Sequence, residues 1–382
     1  MALVDPAVLR RPVLQLAGVG AVAVVANGVV GAFVDSRNVR AVAGGVFGLA
    51  ATLAGLALAL LTMGRYVRVS PRMFRRIAFS SAVLCGLIIF TGAAVRLTGS
   101  GLGCPDWPTC KQGDVIPRSG GHAQIEFGNR IVTGLCLLVA GVGMLAAIVR
   151  VPYRRDLTRL GGLVIVGLLG NAVLGGLSVL FKLRPELITA HFVLAIGVLT
   201  AAVVLVHRAA ERHASAVHGR DRRAVLDAHH AQLARILCVL GGVVLFLGTM
   251  VTGAGPHGGD PNVTRYGFTM LAAVRAHGAA AWLFLVCVLL LALRVSRTPG
   301  AAPRRVRQRL TVLIGIGAAQ GAVGYFQWFN RVPAGLVMVH IVGAVALWTT
   351  LLWVRATIWL PPEHSLVEVV EIPERVSVPS TH

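Results

Sequence analysis

Three histidines lie where a histidine is costly. His191, His277 and His340 each fall inside a long apolar stretch. A membrane-embedded imidazole usually has a functional use, and the bland alternative is a bond to the carbonyl of a neighbouring helix. His277 lies about nine residues into its stretch and His340 about six, and both stretches enter from the same side. At 1.5 Å per residue both imidazoles lie roughly 10–14 Å deep. Two imidazoles at one depth on parallel helices can face each other across a bundle, as two axial ligands of a haem iron do. Zinc would need further Cys or carboxylate ligands, and none accompanies them.

The equivalent pair upstream is Asn129 and His191, so one imidazole is replaced by an amide. Two strong ligands suit a permanent electron-transfer haem. One ligand leaves the iron less fixed or the haem exchangeable. Glu126 precedes Asn129 by three residues and shares its helix face. A carboxylate there can move protons or stabilise a developing cation, or simply pair with Arg130 at i,i+4. His122, one turn earlier, is a proton relay or a loop residue. Arg96, Arg130 and Arg275 can pair with haem propionates or snorkel to head groups. Cys104 and Cys110 flank five residues that include two prolines, in a polar loop. They can brace the loop as a disulfide, exchange disulfides above a cofactor site, or stay unbonded.

These residues belong to a repeat. Asn171-Ala-Val-Leu-Gly175 is followed sixteen residues later by His191, and Gln320-Gly-Ala-Val-Gly324 sixteen residues later by His340. The two copies are offset by 149 residues. Upstream, Thr98-Gly-Ser-Gly101 closes one apolar stretch and Thr252-Gly-Ala-Gly255 another. Two four-helix units in one orientation follow, related by an axis along the membrane normal.

The positioning elements are membrane helices. Of the 382 residues 56% are hydrophobic and 13% charged, against about a quarter charged in soluble domains. Ten stretches near 13–34, 41–63, 77–97, 124–149, 159–181, 187–206, 235–253, 268–293, 310–328 and 334–357 are long enough to span a bilayer. The expected architecture is all-α and integral to the membrane: a 1–70 accessory region with two extra spans, units 71–206 and 235–360, a polar cytoplasmic linker 207–234 and a disordered tail 361–382. The net charge of +21 comes almost wholly from arginines between spans. They crowd the linkers after residues 63, 149, 206 and 293, which places both termini in the cytoplasm and the Cys104–Cys110 loop outside. That distribution excludes a nucleic-acid partner. His207, His213, His218, His229 and His230 read as residues of a solvated linker.

At Thr91-Gly-Ala-Ala-Val-Arg96-Leu-Thr-Gly-Ser-Gly101, Cys104–Cys110, Glu126-Phe-Gly-Asn-Arg130, His191, Val251-Thr-Gly-Ala-Gly-Pro-His-Gly-Gly-Asp260, His277 and His340, the chain resembles the haem A synthase family, bacterial and mitochondrial, over roughly 75–357. Together these segments are specific. The resemblance implies oxidation of a haem O methyl to a formyl group, giving haem A for terminal oxidases in the cell membrane. It implies a haem b on His277 and His340, the substrate haem in the N-terminal unit with Glu126 needed for activity, and a Cys104–Cys110 disulfide. It also implies a link to haem O synthase and cytochrome c oxidase assembly, and is compatible with a homo-oligomer. Many members carry His where this chain has Asn129, in common with actinobacterial-type sequences. Haem O is then held by His191 alone, or His122 substitutes. The competing functions are a di-haem b-type electron carrier, which would want a fourth histidine, and a transporter, which would want broken spans with charged midplane residues.

Overall fold

The computed structural model describes residues 68–358 apart from 112, 113, 115, 118, 119 and 211–225. The stretches at 13–34 and 41–63, and the tail, lie outside the described residues. The described chain holds eight long apolar helices and no strand. They are α1 (Pro71–Leu97), α2 (Gly121–Ile148), α3 (Arg155–Leu180), α4 (Pro185–Ala210), α5 (Ala228–Ala254), α6 (Met270–Ser296), α7 (Ala301–Phe329) and α8 (Ala334–Ile358). All eight are long and apolar enough to cross a membrane. Helices are the only open-chain answer there, because each backbone N–H and C=O must bond within its own segment.

Local sequence sets the ends. Ser70 accepts from the Met73 N–H and precedes Pro71, so α1 starts with a side-chain cap and a residue that needs no donor. Asp227 and Thr269 cap α5 and α6 in the same way. Several helices outrun their apolar stretches at the end away from the cysteine loop. The fourth continues to Ala210 and the fifth begins at Ala228, so His207, His229 and His230 sit on helical turns rather than in a loop. His230 Nδ1 lies 2.7 Å from the Asp227 carboxylate. Hydropathy sees only the hydrocarbon-crossing part of a helix, and polar turns project beyond it into water.

Helices pair as hairpins α1–α2, α3–α4, α5–α6 and α7–α8. Within the first four, α1 also packs on α4 and α2 on α3; within the second four, α5 packs on α8 and α6 on α7. Between the sets the contacts are α4–α5, α8–α1 and α4–α8. A two-fold exchange of the sets maps this list onto itself. Trp348 of α8 donates its indole N–H to Thr200 of α4 at 2.8 Å, near that axis. The repeat reaches the turns. After α3, Lys182 and Leu183 have φ of 55° and 58°; after α7, Arg331 and Val332 have φ of 61° and 58°. Leu183 N–H donates to Ser178 and Val332 N–H to Gln327, each at 2.7 Å and again 149 residues apart. Two successive non-glycine residues in the left-handed region are rare enough that their recurrence marks one ancestral turn.

The outer ends of the two sets are bolted together by Arg96. Its Nε donates to the His257 carbonyl at 2.6 Å and its Nη2 to Thr252, at the end of α5, at 2.9 Å. Beside it Gly101 N–H donates to the Gly259 carbonyl at 2.9 Å. Leu183 packs so closely that a Cβ on Gly101 would lie 2.8 Å from its methyl. Arg96→Leu strips two part-buried carbonyls of their donor, at about 1–3 kcal/mol each at most. The midpoint of thermal inactivation in detergent should fall by several degrees; an unchanged midpoint would remove Arg96 from this role.

Candidate functional site

Each set of four helices centres on a pair of glycine-backed positions. His277 of α6 lies against Gly248 of α5: a Cβ there would meet the imidazole Cε1 at 3.3 Å. His340 of α8 lies against Gly324 of α7, where the distance would be 3.5 Å. His191 of α4 lies against Gly175 of α3, at 3.1 Å. Asn129 of α2 faces Gly92 of α1, with its Oδ1 at 3.9 Å. Glycine lets the ring touch the partner helix and uncovers the carbonyl four residues earlier. His277 Nδ1 lies 3.0 Å from one such carbonyl, that of Val244. A carbonyl only accepts, so Nδ1 carries the proton and Nε2 keeps its lone pair free.

The rings of His277 and His340 face each other at 6.2 Å between centroids and 75° between planes. Nitrogen–metal bonds of about 2 Å would put two imidazole centroids on one metal roughly 6 Å apart. Among the described residues no group of three His, Cys, Asp or Glu side chains converges on a metal position. This pair can therefore complete a metal only if the other ligands come from outside the chain, as the four nitrogens of a macrocycle do. His191 sits beside the Asn171 carbonyl, four residues before Gly175, as His277 sits beside Val244, so the nitrogen left for a ligand is again Nε2. Asn171 Oδ1 is buried without a hydrogen-bond partner in the protein.

The outer mouth of the first set is closed by the cysteine loop. Cys104 and Cys110 form a disulfide. Their exposures are 0% and 1%, packed against Ala123 and Phe127 of α2. Sulfurs so covered favour the bracing of the loop over the alternative of disulfide exchange. Arg130 holds the loop down. Its Nη1 donates to the Pro108 and Thr109 carbonyls and its Nη2 to those of Cys104 and Asp106. The same Nη2 meets Glu126 Oε1 at 2.7 Å. Glu126 Oε2 accepts the Cys104 N–H at 2.7 Å. Both carboxylate oxygens are thus committed to the loop and its clamp. At the tip, Trp107 lies flat on Gly176, where a Cβ would come within 2.5 Å of the indole. Gly176 follows Gly175, the seat of His191, so Trp107 rests on the residue of α3 next to that seat.

Four sequence expectations shift in consequence. Arg130 is spent on loop oxygens and does not stand free for a propionate. Arg96 is spent on the bolt between the sets. Arg275 is exposed and, two residues before His277, points away from that face of α6. His122 sits at the second residue of α2, seven residues or about 10 Å from the level of Asn129. Its Nδ1 is 2.9 Å from Ser100 Oγ, so it does not substitute for the missing imidazole. Sequence reasoning gave no role to Thr91, Trp107, Gly92 and Gly248, although the first three lie in segments that carry the resemblance. The last two had a signal: Phe90-Thr-Gly92 and Phe246-Leu-Gly248 precede the two glycine-rich segments.

Arg130→Ala should loosen the loop. In wild type the disulfide should resist a membrane-impermeant phosphine; in the variant it should become reducible, read as alkylated mass. Equal reduction of both proteins would mean the clamp does not govern the loop.

Comparison with known proteins agrees with this arrangement. The family model described as cytochrome oxidase assembly protein (COX15-CtaA) matches residues 75–127 and 120–352. A protein of Lysinibacillus sphaericus named Heme A synthase is 32% identical over 127 residues, 32% of this chain and 40% of that protein. A Heme A synthase of Bacillus pumilus is 34% identical over 108 residues, 28% of this chain and 35% of that one. A Protoheme IX farnesyltransferase of Thermus thermophilus is 37% identical over 97 residues, 25% of this chain and 16% of its own length. The matched stretch therefore spans two fifths or less of these relatives. The family model covers both four-helix sets and all four glycine-backed positions, and the chain belongs to the COX15-CtaA family of cytochrome oxidase assembly proteins.

Proposed function

We propose that this protein is a haem A synthase, an oxidoreductase that turns one methyl group of haem O into a formyl group. The observation that carries the proposal is the facing pair His277 and His340, 6.2 Å apart at matched depth in one four-helix set. Its altered copy, Asn129 and His191, lies in the other set. A permanent haem b fits the first pair, and the substrate haem fits the second site, on His191. Family membership and the names of the relatives support the same assignment.

His277 and His340 would hold the permanent haem, and it would supply single-electron transfer there. Oxidation of a methyl to a formyl group withdraws four electrons from one carbon and adds one oxygen atom. The chain's own part is positional. Val244 fixes the tautomer of His277. Gly175 and Gly176 seat His191 and Trp107 side by side, so the loop excludes water from the substrate site. Glu126 and Arg130 keep that loop shut, and we propose that turnover needs Glu126 for this reason. The charge distribution supports cytoplasmic termini and an outward loop. A segment of this kind in a protein named for protohaem farnesylation supports a hand-off from the enzyme that makes haem O. The family name supports delivery of haem A to an oxidase under assembly. A di-haem electron carrier is disfavoured, because Asn129 breaks the symmetry it would need.

Expression of this chain with a haem O synthase in a host lacking haem A, followed by haem extraction, chromatography and mass analysis, tests the proposal. Haem A should appear only when both proteins are present. Haem O accumulating unchanged beside a functional donor system would overturn it. Two variants divide the roles. His277→Ala should lose the tightly bound low-spin haem. Glu126→Ala should keep that haem yet lower haem A yield by at least tenfold; full yield would exclude Glu126 from the reaction.

A further inference from the structure

Three of the four glycine-backed positions hold histidines, and the fourth is built differently in two respects. Asn129 stands where an imidazole would be. The vacated volume beside Gly92 is taken by Thr91, whose hydroxyl lies 3.2 Å from the Ile88 carbonyl and 2.7 Å from Asn129 Oδ1. Ile88 precedes Gly92 by four residues, as Val244 precedes Gly248. The place that the His277 imidazole takes beside such a carbonyl is therefore taken by a threonine hydroxyl in the other set, and its single proton serves the shorter contact, Asn129 Oδ1. Thr91 then does to Asn129 what the carbonyl does to the imidazole: it fixes the orientation of the side chain.

That orientation decides what position 129 offers. With Oδ1 accepting from Thr91, the amide turns its Nδ2 away from α1. Among the described residues no acceptor takes that NH2 group. An amide nitrogen has no lone pair to give a metal, and it is a good hydrogen-bond donor. The site thus pairs one imidazole, His191, with a fixed N–H donor in the register of the second. His122 is too far along α2 to fill the gap, as its place at the helix start shows.

We propose that a haem in the N-terminal set has His191 as its sole protein ligand, and that Thr91 and Asn129 form a polar pocket on its other side for a small neutral ligand of the diatomic class, held by a hydrogen bond from the Asn129 amide. The proposal rests on the haem-binding part of the function given above and goes beyond it in assigning an open, hydrogen-bonding position to one set only. The C-terminal set, with both axial places filled, is closed to the same ligand.

The full-length protein, purified in detergent, reconstituted with two equivalents of haem b and reduced with dithionite, is titrated with carbon monoxide. One of the two haems should bind it and the other should not. His191→Ala should lose the reactive haem and keep the inert one. Asn129→His should retain both haems, abolish carbon monoxide binding and convert the N-terminal haem from high to low spin in electron paramagnetic resonance of the oxidised protein. Asn129→Ala and Thr91→Val should still bind carbon monoxide, with a C–O stretch raised above wild type and several-fold faster dissociation, because the donor is lost or misdirected. Two bound haems with neither reactive would overturn the inference while leaving haem binding intact, as would carbon monoxide binding that survives Asn129→His. A reconstituted protein holding no haem at all would overturn the function on which it rests.

Discussion

A polar side chain inside a bilayer has no water to fall back on, so its partner must come from the protein. In this protein that partner is a backbone carbonyl laid open by a glycine. An imidazole wedged against Gly248 reaches the Val244 carbonyl, and with its proton anchored there its other nitrogen keeps its lone pair free. The same close approach recurs at Gly175, Gly324 and Gly92. The helix pairings follow from it, since each such contact joins the two helices of one hairpin. A Cβ at Gly175 or Gly248 would crowd the imidazole at 3.1 and 3.3 Å, whereas at Gly324 and Gly92 it would make ordinary contact at 3.5 and 3.9 Å. The two tight seats, one in each unit, therefore constrain the central histidines most.

A second constraint acts at the outer face, where two arginines hold the ends of the bundle. Arg96 ties the first set to the end of α5 through two carbonyls. Arg130 gathers four loop carbonyls and a carboxylate around one guanidinium. A planar fork with five donors suits this in a way that a lysine would not. The ion pair with Glu126 is partly buried, with side-chain exposures of 19% for Arg130 and 6% for Glu126. Removing either partner would leave the other charge unpaired in a low-dielectric setting, a loss of about 3–5 kcal/mol where such pairs have been broken. Loop, clamp and helix start are thus one unit, with Trp107 as its contact with α3 at Gly176.

The two sets share topology, turn geometry and glycine seats but differ in chemistry. One presents two facing imidazoles; the other presents one imidazole, an amide and a hydroxyl beneath a closed loop. Duplication explains the shared scaffold, and the copies diverge at one central residue, Asn129 in one and His277 in the other. The outer loop reinforces the difference, since the segment bearing the disulfide has no counterpart among the residues that join α5 to α6.

The amino-acid sequence by itself determined the eight described membrane helices, the 149-residue repeat, and His191, His277 and His340 as the costly residues of the spans. These are legible because hydropathy and spacing along one chain are local properties, and lipid leaves helices as the only outcome. What only the tertiary structure decided is which polar groups are already taken. Arg96, Arg130 and Arg275 look alike in sequence, yet the first is a bolt between sets, the second a clamp on a loop, and the third faces outward. Glu126 reads as a lone carboxylate and proves to have both oxygens engaged, one of them by the backbone of a residue 22 positions away. Thr91 and Trp107 carry no pattern of their own, and matter because α1 meets α2 and the loop meets α3. Such assignments are settled by contacts between segments distant in sequence, and no spacing rule along one segment contains them.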